Sequence, residues 1–521
     1  MRSTFFGLET AKRGMYAQQG GLYVTGHNIA NANTPGYSRQ RVDFVQSTPY
    51  PSPGLNRPGF PGQMGTGVEA GSITRVRDSF IDTQLRTQNT NLGYYGGMRD
   101  SLVKMEEIMN EPSTSGLHST MEKFWNSLQT LANNTENSGA RDVVASTGQM
   151  VADTFNYYYN SLSRVQQDLG NQIAVTAKDI NDTLNSIHQL NQQIAEVEPH
   201  GFLPNDLYDA RDALVDKLSG LINIKVTKVK PDEYGNAKVI AEGLYNIELV
   251  KADGTSYTGS DGNPINLLEV NSTGELQQPN TIKIQPDPLT GPVTGLTVGS
   301  ESLPGNELNF SGELAALIES YGYSDGAETK GHYPEMLDQL NKMAKAFADE
   351  FNAIHREGYT LNGGISGKDF FVFDSNTTDY AKNIKLNSDM KDPSQIAAGL
   401  GNGDAGNNKN AQKLADLKTK SFAEYSTTVP EGLSGNLDTY YSGIIGKLGV
   451  VSLSAKQDFG NASVIAASID ERRQSVSAVS LDEEMINMIK YQHAYNASAR
   501  NITIVDEMLD KIINGMGIVG R

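Results

Sequence analysis

The stretch GHNIANANTPGY, residues 26–37, sets His27, Asn28, Asn31, Asn33 and Thr34 close together and ends on Pro35-Gly36-Tyr37. A histidine among side-chain amides and a hydroxyl could hold a ligand or move a proton. The same residue types also end helices, because Asn and Thr side chains bond nearby backbone groups and Pro-Gly supplies a fixed and then a permissive φ. Elsewhere the parts of a chemical site do not assemble. The histidines at 27, 118, 188, 200, 332, 355 and 493 take no HExxH or other ligand spacing, so no metal is expected. His27 with Ser38, or His493 with Asp506, lacks the GxSxG elbow that exposes a nucleophile. GNGDAG at 401–406 and GMGIVG at 515–520 match GxGxxG, but a dinucleotide loop needs a strand before it and a helix after it. Both read as loops, and no cofactor is expected. Cysteine is absent, which removes disulfides, thiolate metal sites and a cysteine nucleophile. We therefore expect no enzymatic activity.

The elements around these residues say more. A chain of 521 residues is long enough for about three or four domains, since single cores stop growing near roughly 250 residues. Net charge is −18, yet residues 1–80 carry eight Lys/Arg against four Asp/Glu and residues 472–521 carry six against six. The acid is thus concentrated in the middle, and no basic stripe is present to displace counterions, so nucleic acid is not an expected partner. No apolar run approaches the ~18 residues of a membrane span, and Lys12-Arg13 interrupt the place of a signal-peptide core, so membrane insertion is not expected and export would keep the N-terminus.

Leu8, Met15, Leu22 and Ile29 recur every seven residues, a helical stripe from about Ser3 to Asn31. Gly14, Gly20, Gly21 and Gly26 each weaken that helix by up to ~1 kcal/mol, so it needs a mate. The turn at Asn31–Gly36 ends it, and Gln40, Val42 and Phe44 then alternate as a strand does. Residues 49–67 read as a Pro/Gly linker, and 78–221 as helix. Within them Leu169, Ile173, Ala177, Ile180, Leu184, Ile187 and Ile194 form a packing seam. Leu207, Ala210, Leu214, Leu218 and Leu221 share another helix face, before strand pattern at Ile224–Val226. Residues 223–310 carry hairpin signals at Tyr234-Gly235-Asn236, Asp253-Gly254 and Asp261-Gly262-Asn263. Helical pattern returns with Leu337, Leu340, Ala344, Phe347, Phe351 and Ile354 on one face. In the last segment Leu481, Met485, Met488, Gln492, Tyr495, Ala499, Ile502, Asp506, Leu509, Ile513 and Met516 step by alternating fours and threes, which is coiled-coil spacing. As one helix, 481–513 is about 50 Å long and needs a partner, for which the N-terminal stripe is the candidate. Gln492 and Asp506 read as polar seam positions that set register, in preference to contacts with a neighbouring subunit.

These observations give an α+β multidomain fold: discontinuous α-helical coiled-coil and bundle domains built from N- and C-terminal segments, with a β-rich insertion. The expected division is 1–36 with 481–521 as a terminal coiled coil and 37–222 with 311–358 and 441–480 as a helical rod-like domain. It leaves 223–310 as the β-rich insertion and 359–440 as a loop-rich mixed segment.

Both ends resemble one family. GHNIANANTPGY together with LDEEMINMIKYQHAYNASARNITIVDEMLDKIIN is similar to the axial proteins of the bacterial flagellum, the rod, hook and hook-associated proteins. GYSRQ at 36–40, LYDARDALVDKLSGLINIKV at 207–226 and SGELAALIESYG with the helix after it resemble the members at the hook-filament junction. The resemblance covers 1–45, 165–225, 311–373 and 475–516. It implies a structural subunit secreted through the flagellar type III export apparatus to the hook-filament junction. There it would assemble with itself into a short tube of about eleven protofilaments, between hook protein and the second junction protein, hook-associated protein 3. Assembly contacts are then expected at Leu8, Met15, Leu22, Ile29, Asn28, Asn31, Pro35, Gly36 and Tyr37, and at Leu481, Met485, Met488, Gln492, Tyr495, Ile502, Asp506, Leu509 and Ile513. A cytoplasmic export chaperone would cover Met485, Met488, Tyr495, Ile502 and Leu509 by helix-in-groove contacts. Another axial protein of the hook or distal rod type, or an exported binding or enzymatic module with flagellar ends, are the alternatives.

Overall fold

The computed structural model describes residues 5–50, 62–109, 111, 113–232, 234–286, 291–326, 328–374, 377–401, 404 and 406–515. The readings made at residues 1–4, at the centre of the Pro/Gly linker, at Met516 and over most of GMGIVG lie outside them. In chain order the helices are α1 (Phe5–Ala30), α2 (Ser79–Met109), α3 (Leu117–Asn133), α4 (Ser138–Val197), α5 (Asn205–Leu221), α6 (Glu313–Tyr321), α7 (His332–Glu357), α8 (Tyr380–Asn383), α9 (Lys409–Asp416), α10 (Leu437–Ser477) and α11 (Leu481–Gly515). The strands are β1 (Gln40–Gln46), β2 (Val68–Arg75), β3 (Ile224–Val229), β4 (Leu244–Leu249), β5 (Asn266–Leu268), β6 (Ile282–Gln285), β7 (Gly295–Val298), β8 (Glu301–Pro304), β9 (Tyr323–Ser324), β10 (Thr329–Lys330), β11 (Phe371–Val372) and β12 (Lys385–Leu386). The chain groups into two compact units, Met1–Asn89 with Asn181–Asn280 and Ser463–Arg521, and Thr90–Ile180 with Thr281–Ala462.

In the first unit, β1 and β2 pair antiparallel with Gln40 opposite Arg75 and Val42 opposite Ile73, and the register shifts between Asp43 and Phe44. β3, β4 and β5 form a second antiparallel sheet, Ile224 opposite Leu249 and Val226 opposite Ile247. Gly254 and Gly262 have φ of 83° and 79°, the left-handed conformation that the Asp-Gly turn signals anticipate. Ile194, Tyr208, Leu244 and Val270 make a buried cluster between α4, α5 and this sheet. The expected apolar face of α5 is displaced. Leu218 is buried as expected, but Ala210 is exposed and Leu207, Leu214 and Leu221 are half-buried, whereas Tyr208, Asp209, Arg211, Asp212 and Val215 are buried. A charged residue can take a core position when its counter-charge is there too, and periodicity of apolar residues alone does not register that.

The second unit holds the sheet β6-β7-β8, so the β-rich stretch 223–310 is divided between the two units. Its core is aromatic. Phe124 lies 5.5 Å from Trp125, 5.4 Å from Phe351 and 6.1 Å from both Phe370 and Phe371, and Phe347 lies 5.1 Å from Phe371. Phe370 and Phe371 come from the loop-rich segment, which three buried polar residues of α7 hold in place. Glu350 accepts from Lys420 Nζ at 2.7 Å and from the backbone and hydroxyls of Ser426 and Thr427. Burial pushes this carboxyl up, but those donors outweigh it and hold it below its ordinary value. Asn352 Oδ1 accepts from the N–H of Phe370 and of Phe371, each at 2.9 Å, and its Nδ2 donates to Phe371 O at 2.7 Å. His355 Nδ1 lies 2.9 Å from Lys368 O and Nε2 accepts from Ala397 N at 3.1 Å, so the ring is neutral and burial pushes its pKa down to about 4.

Candidate functional site

The terminal helices pack on each other. A Cβ placed on Gly7 would stand 3.8 Å from Val505 Cγ2, on Gly14 3.1 Å from Ser498 Oγ, and on Gly21 3.0 Å from the Tyr491 ring. One heptad further, Asn28 Nδ2 donates to Glu484 Oε2 at 3.2 Å. Each step of seven along α1 is matched by a step of seven back along α11, so a single antiparallel register contains all four pairs. Two of the glycines that weaken an isolated α1, Gly14 and Gly21, are therefore part of the contact surface. They let the backbones approach at positions where a side chain would meet Ser498 or Tyr491. The buried residues of α1, Ala11, Ala17, Gly21, Val24, Thr25 and Asn28, follow this small-residue line, and Leu8, Met15, Leu22 and Ile29 flank it half-buried.

Half of the expected α11 seam is observed. Met488, Tyr495, Ala499, Ile502 and Leu509 are half-buried, as the spacing required. The other line is Glu484, Tyr491, Ser498 and Val505, one position before Met485, Gln492, Ala499 and Asp506. Leu481, Met485 and Ile513 are exposed by 50%, 56% and 71%, and Gln492 and Asp506 are exposed as well. Neither Gln492 nor Asp506 is a buried polar seam residue. Gly21 leaves room for the Tyr491 ring, which also meets Phe44 edge-on at 5.8 Å, and apolar spacing on α11 by itself cannot report that.

The polar cluster of residues 27–37 is a joint. Asn28 is buried, and its amide binds Gln40 as a second strand would, accepting from Gln40 N at 2.9 Å and donating to Gln40 O at 2.8 Å. Tyr37 Oη donates to Asn28 Oδ1 at 2.8 Å and lies 3.0 Å from His27 Nδ1. Burial, with Asp206, Asp209 and Glu484 nearby, holds the Tyr37 hydroxyl protonated well above its ordinary range. Asn31 Nδ2 donates to His27 O, and Thr34 Oγ1 donates to Asn31 Oδ1. Gly36 has φ 80° and is exposed, as is Pro35. Arg39 carries the joint to the C-terminal side: its N–H donates to Ser477 O at 2.8 Å, at the end of α10, and its Nε donates to Glu484 Oε1 at 2.8 Å, at the start of α11. Glu484 is 3% exposed and is the buried carboxylate of this helix.

Below the joint lies an ionic network. Ser38 N–H donates to Asp209 Oδ2 at 2.9 Å and Gln40 Nε2 donates to Asp206 Oδ1 at 2.9 Å. Asp212 accepts from Arg75 Nη1 at 2.9 Å, Arg86 Nη2 at 3.0 Å and Tyr245 Oη at 2.8 Å, with Arg77 Nη1 at 3.2 Å. Glu242 also pairs with Arg75, Asp216 with Arg86 and Arg473, and Asp82 with Arg77. Burial alone would push the Asp212 carboxyl up, but Arg77, Arg75, Arg86 and Arg211 hold it far below the carboxylate range. Asp209, with fewer cations, is raised by burial. The arginines and carboxylates of this network are matched with one another within the fold. Among the described residues no group of His, Asp or Glu could hold a metal, and no helix is long and apolar enough to cross a membrane.

Apolar side chains also face outward, among charged ones. α11 exposes Met485, Ile486, Ile489, Ile504, Met508, Ile512 and Ile513, and α1 exposes Phe5, Tyr16 and Tyr23. Sequence reasoning missed Glu484, Tyr491, Ser498, Val505 and Arg39. The signal for Tyr491, Ser498 and Val505 was present in their seven-residue spacing, which matches that of Gly7, Gly14 and Gly21.

Comparison with known proteins places these surfaces in context. The model of the flagellar hook-associated protein FlgK helical domain matches residues 102–371. The flagellar basal body rod FlgEFG protein C-terminal model matches 472–515, and the flagella basal body rod protein model matches 8–37. Flagellar hook-associated protein 1 of Bacillus subtilis (strain 168) is 44% identical over 530 residues, covering 100% of both chains. Its counterpart in Escherichia coli (strain K12) is 24% identical over 591 residues, covering 97% of this chain and 99% of the relative. The solved flagellar hook junction protein FlgK from Burkholderia pseudomallei shares the fold, with a TM-score of 0.57 at 15% identity over 76% of this chain and 100% of that one.

Proposed function

The chain belongs to the flagellar hook-associated protein 1 family, and from that premise we propose that it joins hook to filament by self-assembly through its terminal helices. Its role is structural rather than enzymatic, its place is the flagellum, and its associates are other flagellar axial proteins. The finer reading is a short tubular zone of about eleven protofilaments, built by head-to-tail contacts that repeat around an axis. Hook protein lies on one side of it and hook-associated protein 3 on the other. The subunit travels through the flagellar type III export channel and acts outside the cell, and before export a cytoplasmic chaperone covers α11.

The observation that carries this reading is the outward face of the terminal pair. Met485, Ile486 and Ile489 are exposed at one end of α11, and Ile504, Met508, Ile512 and Ile513 at the other, with exposed polar residues such as Lys490, His493 and Arg500 between the two groups; exposed apolar groups of this kind mark interaction surfaces. The inner seam uses Met488, Tyr495, Ile502 and Leu509, so subunit contacts fall on Met485 and Ile513 and on the flanking Leu481, Gln492 and Asp506. Chaperone contacts read at Met488, Tyr495, Ile502 and Leu509 require α11 to leave α1, which makes chaperone and folded pair alternatives. Electron microscopy of cells lacking the protein is the test. Hooks without filaments are expected, and normal filaments on those cells would refute the junction role.

A further inference from the structure

We propose that Glu484, held by Arg39 and Asn28, selects the register in which α1 and α11 pair, and that the seam itself does not. The seam repeats every seven residues on both helices: Gly7, Gly14 and Gly21 on one side, Tyr491, Ser498 and Val505 on the other. Sliding one helix by a heptad, about 10.5 Å at ~1.5 Å per residue, leaves glycine opposite a side chain again. In one direction Gly7 meets 498 and Gly14 meets 491, so the Tyr491 ring still lies on glycine; in the other Gly14 meets 505 and Gly21 meets 498, while Tyr491 meets Asn28. The flanking lines Leu8, Met15, Leu22, Ile29 and Met488, Tyr495, Ile502, Leu509 also repeat by seven, so they distinguish the registers no better.

Glu484 breaks that degeneracy. In the observed register its buried carboxylate accepts from Arg39 Nε at 2.8 Å and from Asn28 Nδ2 at 3.2 Å, and Asn28 is itself clamped to Gln40 and Tyr37. A one-heptad slide sets Glu484 against Gly21, which offers no donor, or sets Asn28 against Tyr491. Either leaves a buried charge or amide without its partner, which is strongly disfavoured. Arg39 adds an anchor, because its backbone is tied to Ser477 O at the end of α10. A single polar pair fixing the register of an otherwise permissive seam is a known device of coiled coils.

The chain has no cysteine, so engineered pairs report register directly. The Cβ position of Gly14 lies 3.9 Å from Ser498 Cβ, inside the range of about 3.5–4.5 Å for a disulfide. Gly14→Cys/Ser498→Cys therefore reports the observed register, and Gly7→Cys/Ser498→Cys the slipped one in which the Tyr491 ring still lies on glycine. Each full-length double-cysteine chain is equilibrated in a glutathione redox buffer, with Glu484 intact and with Glu484→Leu, which removes the mark and keeps the seam apolar. With Glu484 the 14–498 disulfide should dominate; with Glu484→Leu the ratio of 14–498 to 7–498 should fall by at least about tenfold. An unchanged ratio would show that the seam sets the register. Loss of both disulfides in Glu484→Leu would overturn the proposal too, since Glu484 would then hold the pair together rather than choose its alignment.

Discussion

Asp212→Asn tests the buried ionic network with the shape of the site preserved. Asp212 is 3% exposed at its side chain and contacts Arg75, Arg77 and Arg86 within 3.2 Å, with the Tyr245 hydroxyl at 2.8 Å. The amide keeps one acceptor oxygen but no charge, leaving the three arginines short of a counter-charge. Breaking a buried pair from one side costs about 3–5 kcal/mol, and the retained hydrogen bonding places this change near the lower end. With a urea slope of about 3 kcal/mol/M for a unit of this size, the midpoint should fall by about 1 M. Trp125 is the chain's single tryptophan and is buried in the second unit, whereas Asp212 is in the first. Urea unfolding followed by far-ultraviolet dichroism should lose midpoint while the Trp125 fluorescence transition keeps its own. The folded carboxyl is depressed well below its unfolded value of 3.8. Its contribution is thus complete above about pH 4 and declines as pH falls further, so wild type and variant should converge in acid. A shift below about 0.2 M at neutral pH, or a difference undiminished toward pH 2, would refute the reasoning.

The histidine of α7 gives a prediction of opposite reach. His355 is depressed to about 4 from 6.5. Its stabilisation is therefore full above about pH 6.5 and lost on acidification through that window, by about 3 kcal/mol in all; His355→Gln should flatten the fall of the Trp125 midpoint between pH 7 and 4, and identical profiles would contradict it. Met485→Asp places a charge on a side chain exposed in the single chain, so polymerisation should fail while the melting temperature holds, and an equal loss of melting temperature would place Met485 in the monomer core. Leu509→Asp, on the half-buried line, should loosen the terminal pair as well, seen as faster exchange in α1. In a verified monomer, amides of residues 5–30 and 485–515 should exchange faster than those of α7, and comparable protection would show that the pair needs no neighbours.

The sequence made the elements legible wherever one period dominated. The α4 seam from Leu169 to Ile194 and the α7 stripe from Leu337 to Phe351 are buried as their spacing demands. The turn after α1 was legible because Asn, Thr, Pro and Gly leave few backbone choices. What escaped was decided by partners distant in sequence. Asp209, Arg211 and Asp212 look like a solvent face until Arg75, Arg77 and Arg86 are brought against them. Glu484 looks like a helix-start acid until Arg39 and Asn28 arrive. Glu350, Asn352 and His355 interrupt an apolar stripe, yet they organise eighty residues that carry almost no periodic signal of their own. The seam of α11 was half legible because one of its lines is apolar and the other mixes glutamate, tyrosine, serine and valine.

The bond between Asn28 and Glu484 joins residues 456 positions apart. A chain that threads end-first through a pore, or one cut short before about residue 480, carries α1 without the helix that pairs with it. The pair thus serves as a test of completeness: its glycine-lined groove stays empty until the final helix has arrived, and only then does the joint at Arg39 have both halves to clasp. Folding of the middle shortens the effective loop between the ends, and the cost of closing a loop rises only slowly with its length.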